Sequence, residues 1–287
     1  LVWVMIVILT LIGGCDFGKI NSSEHNASTV KELLPSNELN YALWSAPSGI
    51  FAPQYAKGDY DEMIIGLAYE PLVMINTANK FEGVLAESWE MLEDQKTIIF
   101  HLRNNVTWHD GADFTASDVA FSLKYIANEK YDGDQFYAIS TIHGIDDYQS
   151  GRIDEISGIE IINDHTIKIT TNHIYAPTLE HIGNIKIFPE HLWKDVDIES
   201  ASREHKLLTS TVGTGPYILE SMVENQAVHM MRYDNYWGGT PKIEYINFEI
   251  VNNEIAQIKM INGELDVMQI SSMDPKDLQL YEDAGIL

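Results

Sequence analysis

The apolar and polar positions divide the chain into strands and helices before any chemistry is considered. Leu39–Trp44 (LNYALW) is apolar-rich and predicts a short strand, and SAPSGIFAP after it carries the Pro and Gly of a loop. In DEMIIGLAYEPLV the residues Met63, Ile64, Leu67 and Ala68 fall on one helical face, and Pro71 closes the helix. Ile98, Phe100 and Leu102 alternate with Ile99, His101 and Arg103, the period of a strand. Gly158–Ile162 and Thr166–Thr170 alternate on either side of Asn163-Asp164-His165 and predict a hairpin. Val228–Arg232 leads through YDNYWGGTPK to Ile246, Phe248 and Ile250, again with period two. A helix near Glu254–Asn262 closed by Gly263, a strand around Leu265–Val267, and a helix opened by Asp274-Pro275 and stopped by Gly285 complete the pattern. Strands and helices mixed in this way predict an α/β, or mixed α+β, protein.

Residues 108–119 (WHDGADFTASDV) concentrate candidate chemistry. Thr115 stands at an N-cap with Asp118 three residues on, a capping box, and Phe114 with Val119 can form a hydrophobic staple. Ala116, Val119, Ala120, Leu123, Ile126 and Ala127 continue at helical spacing as a buried face. Asp110-Gly111 is a turn signal, Trp108 packs over that turn, and His109 is either a general base or a polar residue at its shoulder. Neither a G-x-S-x-G elbow nor an H-E-x-x-H spacing accompanies it. The stretch reads as scaffold. A carboxylate pair of the glycosidase type stays open, because 43 acidic residues make chance pairs common.

Charge narrows the partners. With 18 Lys+Arg against 43 Asp+Glu the formal charge is −25, which excludes a phosphate-backbone partner and adsorption to anionic lipid through a basic patch. The one cysteine permits no intramolecular disulfide and no thiolate metal cluster. No metal and no cofactor is expected. The uncharged run LVWVMIVILTLIGGC ends at Cys15 and is shorter than the ~18 apolar residues of a spanning helix, so residues 1–15 read as a signal-peptide hydrophobic region lacking its basic n-region. Ile12-Gly13-Gly14-Cys15 resembles a bacterial lipobox, in which the cysteine is lipidated and anchors the chain to the membrane; the other reading is a buried terminal helix. Residues 16–38 follow as a polar linker.

Five segments then appear in order: LAESWE (85–90), FHLRNNVTWHDGADFTASDVAFS (100–122), IFPEHLW (187–193), GTGPYIL (213–219) and RYDNYWGGTPKI (232–243). Together they resemble the successive signatures of the family 5 extracellular solute-binding proteins, the peptide/nickel-type receptors of ABC importers. The resemblance runs from about residue 39 to the end of the chain. It implies a bilobal, class II periplasmic-binding-protein-like fold with an extra domain and most of the second lobe missing. Mapped here, residues 39–69 and 183–270 form the first lobe, 70–182 the extra domain, and 271–287 open the second lobe.

The same resemblance implies a receptor, not an enzyme: a monomer, lipid-anchored outside the cytoplasm, that holds an oligopeptide between its lobes and delivers it to ABC permease subunits. By motif position Lys57, Gly58, Asp59 and Tyr60 are candidate cleft-lining residues, with Gly58 permitting close backbone approach; the other reading is an ordinary loop with a turn glycine. Tyr137 is a candidate wall from the extra domain, and Tyr236 and Trp237 either stack on ligand or pack the first lobe. Gly213–Tyr217 reads as a strand-entry turn. Alternative ligands are a nickel chelate, an opine-like molecule or an oligosaccharide, and an extracytoplasmic carboxylate-pair hydrolase is the alternative from another class.

Overall fold

The computed structural model describes residues 37–204 and 206–269, with positions 279, 281, 282 and 285 beyond them. Cys15 with its lipobox, most of the linker, and the Asp274-Pro275 start of the last helix lie outside the described residues. In chain order the elements are β1 (Glu38–Leu43), α1 (Asp59–Ala68), β2 (Val73–Ile75), β3 (Phe81–Gly83), β4 (Ala86–Met91), β5 (Thr97–Leu102), α2 (Ala116–Ala127), α3 (Phe136–Ile139), α4 (Ile145–Gln149), β6 (Ile159–Asn163) and β7 (Thr166–Thr170). They continue with α5 (Thr178–Gly183), α6 (Glu190–Trp193), α7 (Ile198–Glu204), β8 (Tyr217–Val223), β9 (Ala227–Arg232), β10 (Tyr245–Ile250), α8 (Asn253–Ile261) and β11 (Val267–Met268).

Two larger sheets share the strands out by chain position. One has the order β11-β1-β10-β9-β8, the other β4-β5-β7-β6, and β2-β3 form a small ribbon. β1 lies between β10 and β11 and runs parallel to both, with Glu38 opposite Tyr245. A parallel pair needs a crossover, and here that crossover contains the whole antiparallel four-stranded sheet. The two ends of the excursion are stitched together: Pro71 bridges Lys186, and Ile187 N–H donates to the Glu70 carbonyl at 3.1 Å. A large apolar core runs beneath both sheets, with a small separate cluster of Ala42, Ala256 and Leu265 beside β1.

Strands β5, β7, β9 and β10 follow their predicted alternation, whereas β6, at the sheet edge, leaves both Ile161 and Ile162 exposed and does not. Ile98, Phe100, Ile167 and Ile169 face the core in one sheet, and Val228, Met230, Ile246 and Phe248 in the other. Besides the three-residue ribbon strands β2 and β3, two strands of the larger sheets escaped the periodicity reading, β4 and β8. Each is a sheet edge, and each carries a register irregularity, between Ala86 and Ser88 and between Leu219 and Ser221. A bulge breaks the period of two, and an edge tolerates polar residues on both faces. α1 stops at Ala68, ahead of Pro71, because Tyr69 is already extended.

The capping box of α2 is formed as its sequence predicts. Thr115 Oγ1 accepts from Ser117 N–H at 3.3 Å, and Asp118 Oδ2 accepts from Thr115 N–H at 2.9 Å. Phe114 and Val119 are both buried, and Trp108 packs edge-on against Phe114 with ring centroids 6.0 Å apart. Thr115→Ala is expected to cost ~1 kcal/mol of folding stability and to leave any ligand preference unchanged. Urea denaturation paired with a binding titration checks this; a changed preference at unchanged stability would move the segment from scaffold to site.

Candidate functional site

The carboxyl ends of β1, β10 and β11 point the same way because these strands are parallel. In open α/β sheets that edge is where ligands bind, since the connections there diverge and leave a crevice. Trp44 follows β1 directly and is 36 % exposed. Its backbone N–H donates to Tyr60 Oη at 3.1 Å, and its indole Nε1 donates to the Gln269 carbonyl, just past β11, at 3.0 Å. An aromatic platform tethered at both ends, with Ser45 exposed beside it, thus faces outward at the strand ends.

Of the predicted KGDY residues, Tyr60 joins this face through its bond to Trp44. Lys57 and Asp59 are exposed, and Gly58 is the N-cap of α1 in an extended conformation with φ −84°. The chain itself requires the missing side chain: a Cβ there would overlap Asp61 Oδ2. The Asp61 carboxylate is buried and accepts the N–H groups of Ser48 and Gly49, each at 3.0 Å, which shapes the loop before α1. Tyr137 is 67 % exposed on α3, with its ring against His181 at 5.6 Å.

Tyr236 and Trp237 are both anchored inside the fold. Both donate to one buried carboxylate: Tyr236 Oη to Glu70 Oε1 at 2.7 Å and Trp237 Nε1 to Glu70 Oε2 at 2.7 Å. Thr214 Oγ1 adds a third bond, to Oε2 at 3.0 Å. The Arg103 guanidinium lies 4.2 Å from the Trp237 ring centroid, and Arg103 Nε donates to the Val84 carbonyl at 2.6 Å. Glu70 is only 6 % exposed. Burial pushes its carboxyl up to about 6, against the opposing pull of the three donors and of Arg103. Glu70 thereby joins the GTGPYIL and YWGG segments to the end of α1. Sequence reasoning missed it, and the faint signal was a Glu-Pro pair directly after a helix.

The histidine of the tested stretch is fully employed. His109 Nδ1 accepts from Gly213 N–H at 3.1 Å, so its Nε2 carries the proton and donates to the Gly215 carbonyl at 2.9 Å. Burial lowers its basicity below the ordinary histidine value. With both nitrogens bound to backbone, His109 braces the GTGP turn and has no lone pair left for a substrate. Asp118 is likewise committed, to Thr115 N–H and to Glu190 N–H at 3.0 Å. Among the described residues no group of three or more His, Cys, Asp or Glu could hold a metal ion. No helix among them is long and apolar enough to cross a membrane.

Residues 80–286 match the family described as bacterial extracellular solute-binding proteins, family 5 middle. The dipeptide-binding protein of Escherichia coli (strain K12) is 29 % identical over 255 residues, which cover 84 % of this chain and 46 % of that protein. The oligopeptide-binding protein OppA of Lactococcus lactis subsp. cremoris (strain SK11) is 30 % identical over 262 residues, covering 87 % and 40 %. Among solved structures, NikZ from Campylobacter jejuni in complex with Ni(L-His) superposes with a TM-score of 0.72 at 22 % identity, over 87 % of this chain and 46 % of that one. The chain therefore spans less than half the length of each of these three relatives.

Proposed function

Because this chain belongs to family 5 of the bacterial extracellular solute-binding proteins, we propose that it is the peptide-capturing part of an ABC importer's receptor. The outward face at the carboxyl ends of β1, β10 and β11, with Trp44 held between Tyr60 and Gln269, carries this reading. An extended peptide laid along such strand ends gains affinity from its own backbone hydrogen bonds, which every sequence offers, while its side chains set preference. Dipeptide- and oligopeptide-binding relatives supply the ligand class.

In this reading residues 39–69 and 183–270 are one lobe and 70–182 an extra domain, in keeping with how the two larger sheets divide the strands. A second lobe would close over the ligand, and ligand contacts would stabilise the closed form. Lipidation at Cys15 would keep the monomeric receptor beside its permease, outside the cytoplasm. The protein captures and releases its ligand without chemistry: His109, Asp118 and Glu70, its most enzyme-like groups, are all bound to partners within the fold.

The test is to incubate the receptor with a defined pool of short peptides and identify by native mass spectrometry what it retains. Intact peptides should be retained, and Trp44→Ala should weaken their binding about tenfold, the size of losing a central aromatic contact. Cleaved products, or retention of a nickel chelate in place of peptide, would overturn the proposal.

A further inference from the structure

We propose that the open edge of β8 and the groove beside it form a docking site for an extended, basic segment of a partner protein, which adds to the five-stranded sheet as a sixth strand. The groove has a volume of about 540 Å³, within the ~300–1,000 Å³ of clefts that hold ligands. Leu219, Glu220, Ser221 and Met222 line it in succession, and no residue of β9 does. It therefore runs along the flank of β8 that faces away from β9, where the sheet ends. Such an edge offers a row of unpaired backbone N–H and C=O groups. β8 carries neither Lys nor Pro, residues that commonly guard an open edge, and beyond its one register irregularity Ser221, Met222 and Val223 pair regularly with β9.

The walls of the groove are fixed by the fold. The other lining residues come from two segments, Ser48, Gly49 and Phe51 in one, Thr209 and Ser210 in the other. The buried Asp61 carboxylate holds the N–H groups of Ser48 and Gly49, and Phe51 N–H joins the two segments by donating to the Leu208 carbonyl at 2.5 Å. Leu219 N–H donates to Thr211 Oγ1 at 2.9 Å, which ties β8 to the second segment. A guest entering a groove already built loses less to the ordering of its host.

The lining selects the guest. Phe51 is buried and Leu219 and Met222 are half-buried, so they offer apolar contact, while Ser48, Thr209, Ser210 and Ser221 offer hydroxyls to a backbone. Glu220 and Glu224 are exposed, neither forms an ion pair among the described residues, and no Lys, Arg or His lines the groove. An extended chain with Lys or Arg alternating with apolar residues matches both the strand edge and this charge. A second copy of this chain matches poorly, because each copy carries a formal charge of −25. The groove is also separate from the candidate ligand face: β10 and β9 stand between β1 and β8, three strand spacings or about 14 Å.

The experiment displays Lys-Val-Lys-Val-Lys-Val, or Glu-Val-Glu-Val-Glu-Val, as the tail of a small folded carrier protein and titrates each into the receptor calorimetrically. The Lys tail should bind and the Glu tail should not. Reversing both groove charges, Glu220→Lys with Glu224→Lys, should weaken the Lys tail about 5- to 30-fold, the size of two lost ion pairs and the repulsion that replaces them. The same charge change on and beside β4, Glu90→Lys with Glu93→Lys, should alter binding less than about threefold, because salt screens distant charges. Trp44→Ala should leave it unchanged, and the bound tail should slow amide hydrogen exchange within residues 219–224. Equal losses in the two double variants would reduce the effect to net charge, and a loss in Trp44→Ala would put the tail on the ligand face. Protection of β8 that grows with receptor concentration alone would mean that a second copy covers the edge. Any of these, or a Lys tail that does not bind, overturns the proposal, and none by itself refutes peptide capture at Trp44.

Discussion

Glu70→Ala is expected to destabilise the protein by about 3–5 kcal/mol, the usual consequence of removing one partner from a buried, charged hydrogen-bond cluster. The mutation strands three donors at once, Thr214 Oγ1, Tyr236 Oη and Trp237 Nε1, and leaves Arg103 without the carboxylate it faces. Each buried donor left unpaired costs ~1–3 kcal/mol, because it surrendered water on folding and receives nothing in return. Against a total stability on the order of 5–15 kcal/mol, that loss puts a substantial fraction of the molecules at risk of unfolding near physiological temperature. Chemical denaturation measures it directly. A loss under about 1 kcal/mol would mean that the Glu70 cluster is not the joint it resembles.

The same residue has a pH signature whose sign is opposite to that of most carboxylates. Its folded-state pKa, about 6, lies above the ordinary 4.5. The folded protein therefore holds this proton more tightly than the unfolded chain, and the associated stability is fully present below pH 4.5. It is lost as pH rises through about 6, a change of ~2 kcal/mol. Glu70→Gln cannot titrate, so the wild-type minus variant stability difference should fall by that amount between about pH 4.5 and 6. A difference that is flat, or that rises with pH, would show that the donors outweigh burial.

Gly213→Ala should be nearly as damaging, for a steric reason. A Cβ at Gly213 would overlap the carbonyl oxygen of Ala68, at the end of α1. That carbonyl cannot retreat cheaply, because it accepts the Gly215 N–H at 2.9 Å. Nor can Gly213, whose N–H and carbonyl are both bound to His109. Overpacking of backbone against backbone predicts a loss of about 3 kcal/mol or more. Gly111→Ala is the matched control: its φ is +88° but nothing lies within 4 Å of the added Cβ, so only the left-handed strain of ~1–2 kcal/mol applies. Denaturation midpoints of the two variants should separate clearly, and equal midpoints would refute the clash.

Both predictions concern residues whose importance was only half visible in the sequence. GTGPYIL could be read as a strand-entry turn, and β8 does begin at Tyr217. That its glycines exist to let the turn pass over the end of α1 could not be read, because residues 68 and 213 are distant in sequence. Tyr236 and Trp237 were visible as aromatics beside a Gly-Gly turn, with ligand stacking and first-lobe packing both open and packing favoured for the Trp. Their shared bond to Glu70 appears only once the chain has left the first sheet at Pro71 and returned at Lys186.

The sequence by itself determined whatever depends on neighbours along the chain. The capping box at Thr115–Asp118, the hairpin around Asn163–His165, the alternation of β5, β7, β9 and β10, and the family-specific order of motifs are of this kind, because helix caps and strand periods involve residues only a few positions apart. Tertiary structure alone decided which chemistry-bearing groups are spent inside the fold and which face outward. His109, open as a general base, and Tyr236 and Trp237, open as ligand-stacking rings, prove to be hydrogen-bonded within the fold, while Trp44, flagged only as the end of a strand, stands exposed at the ends of three parallel strands. A side chain's availability depends on which distant donors and acceptors the fold brings against it, and no local pattern in a sequence encodes that.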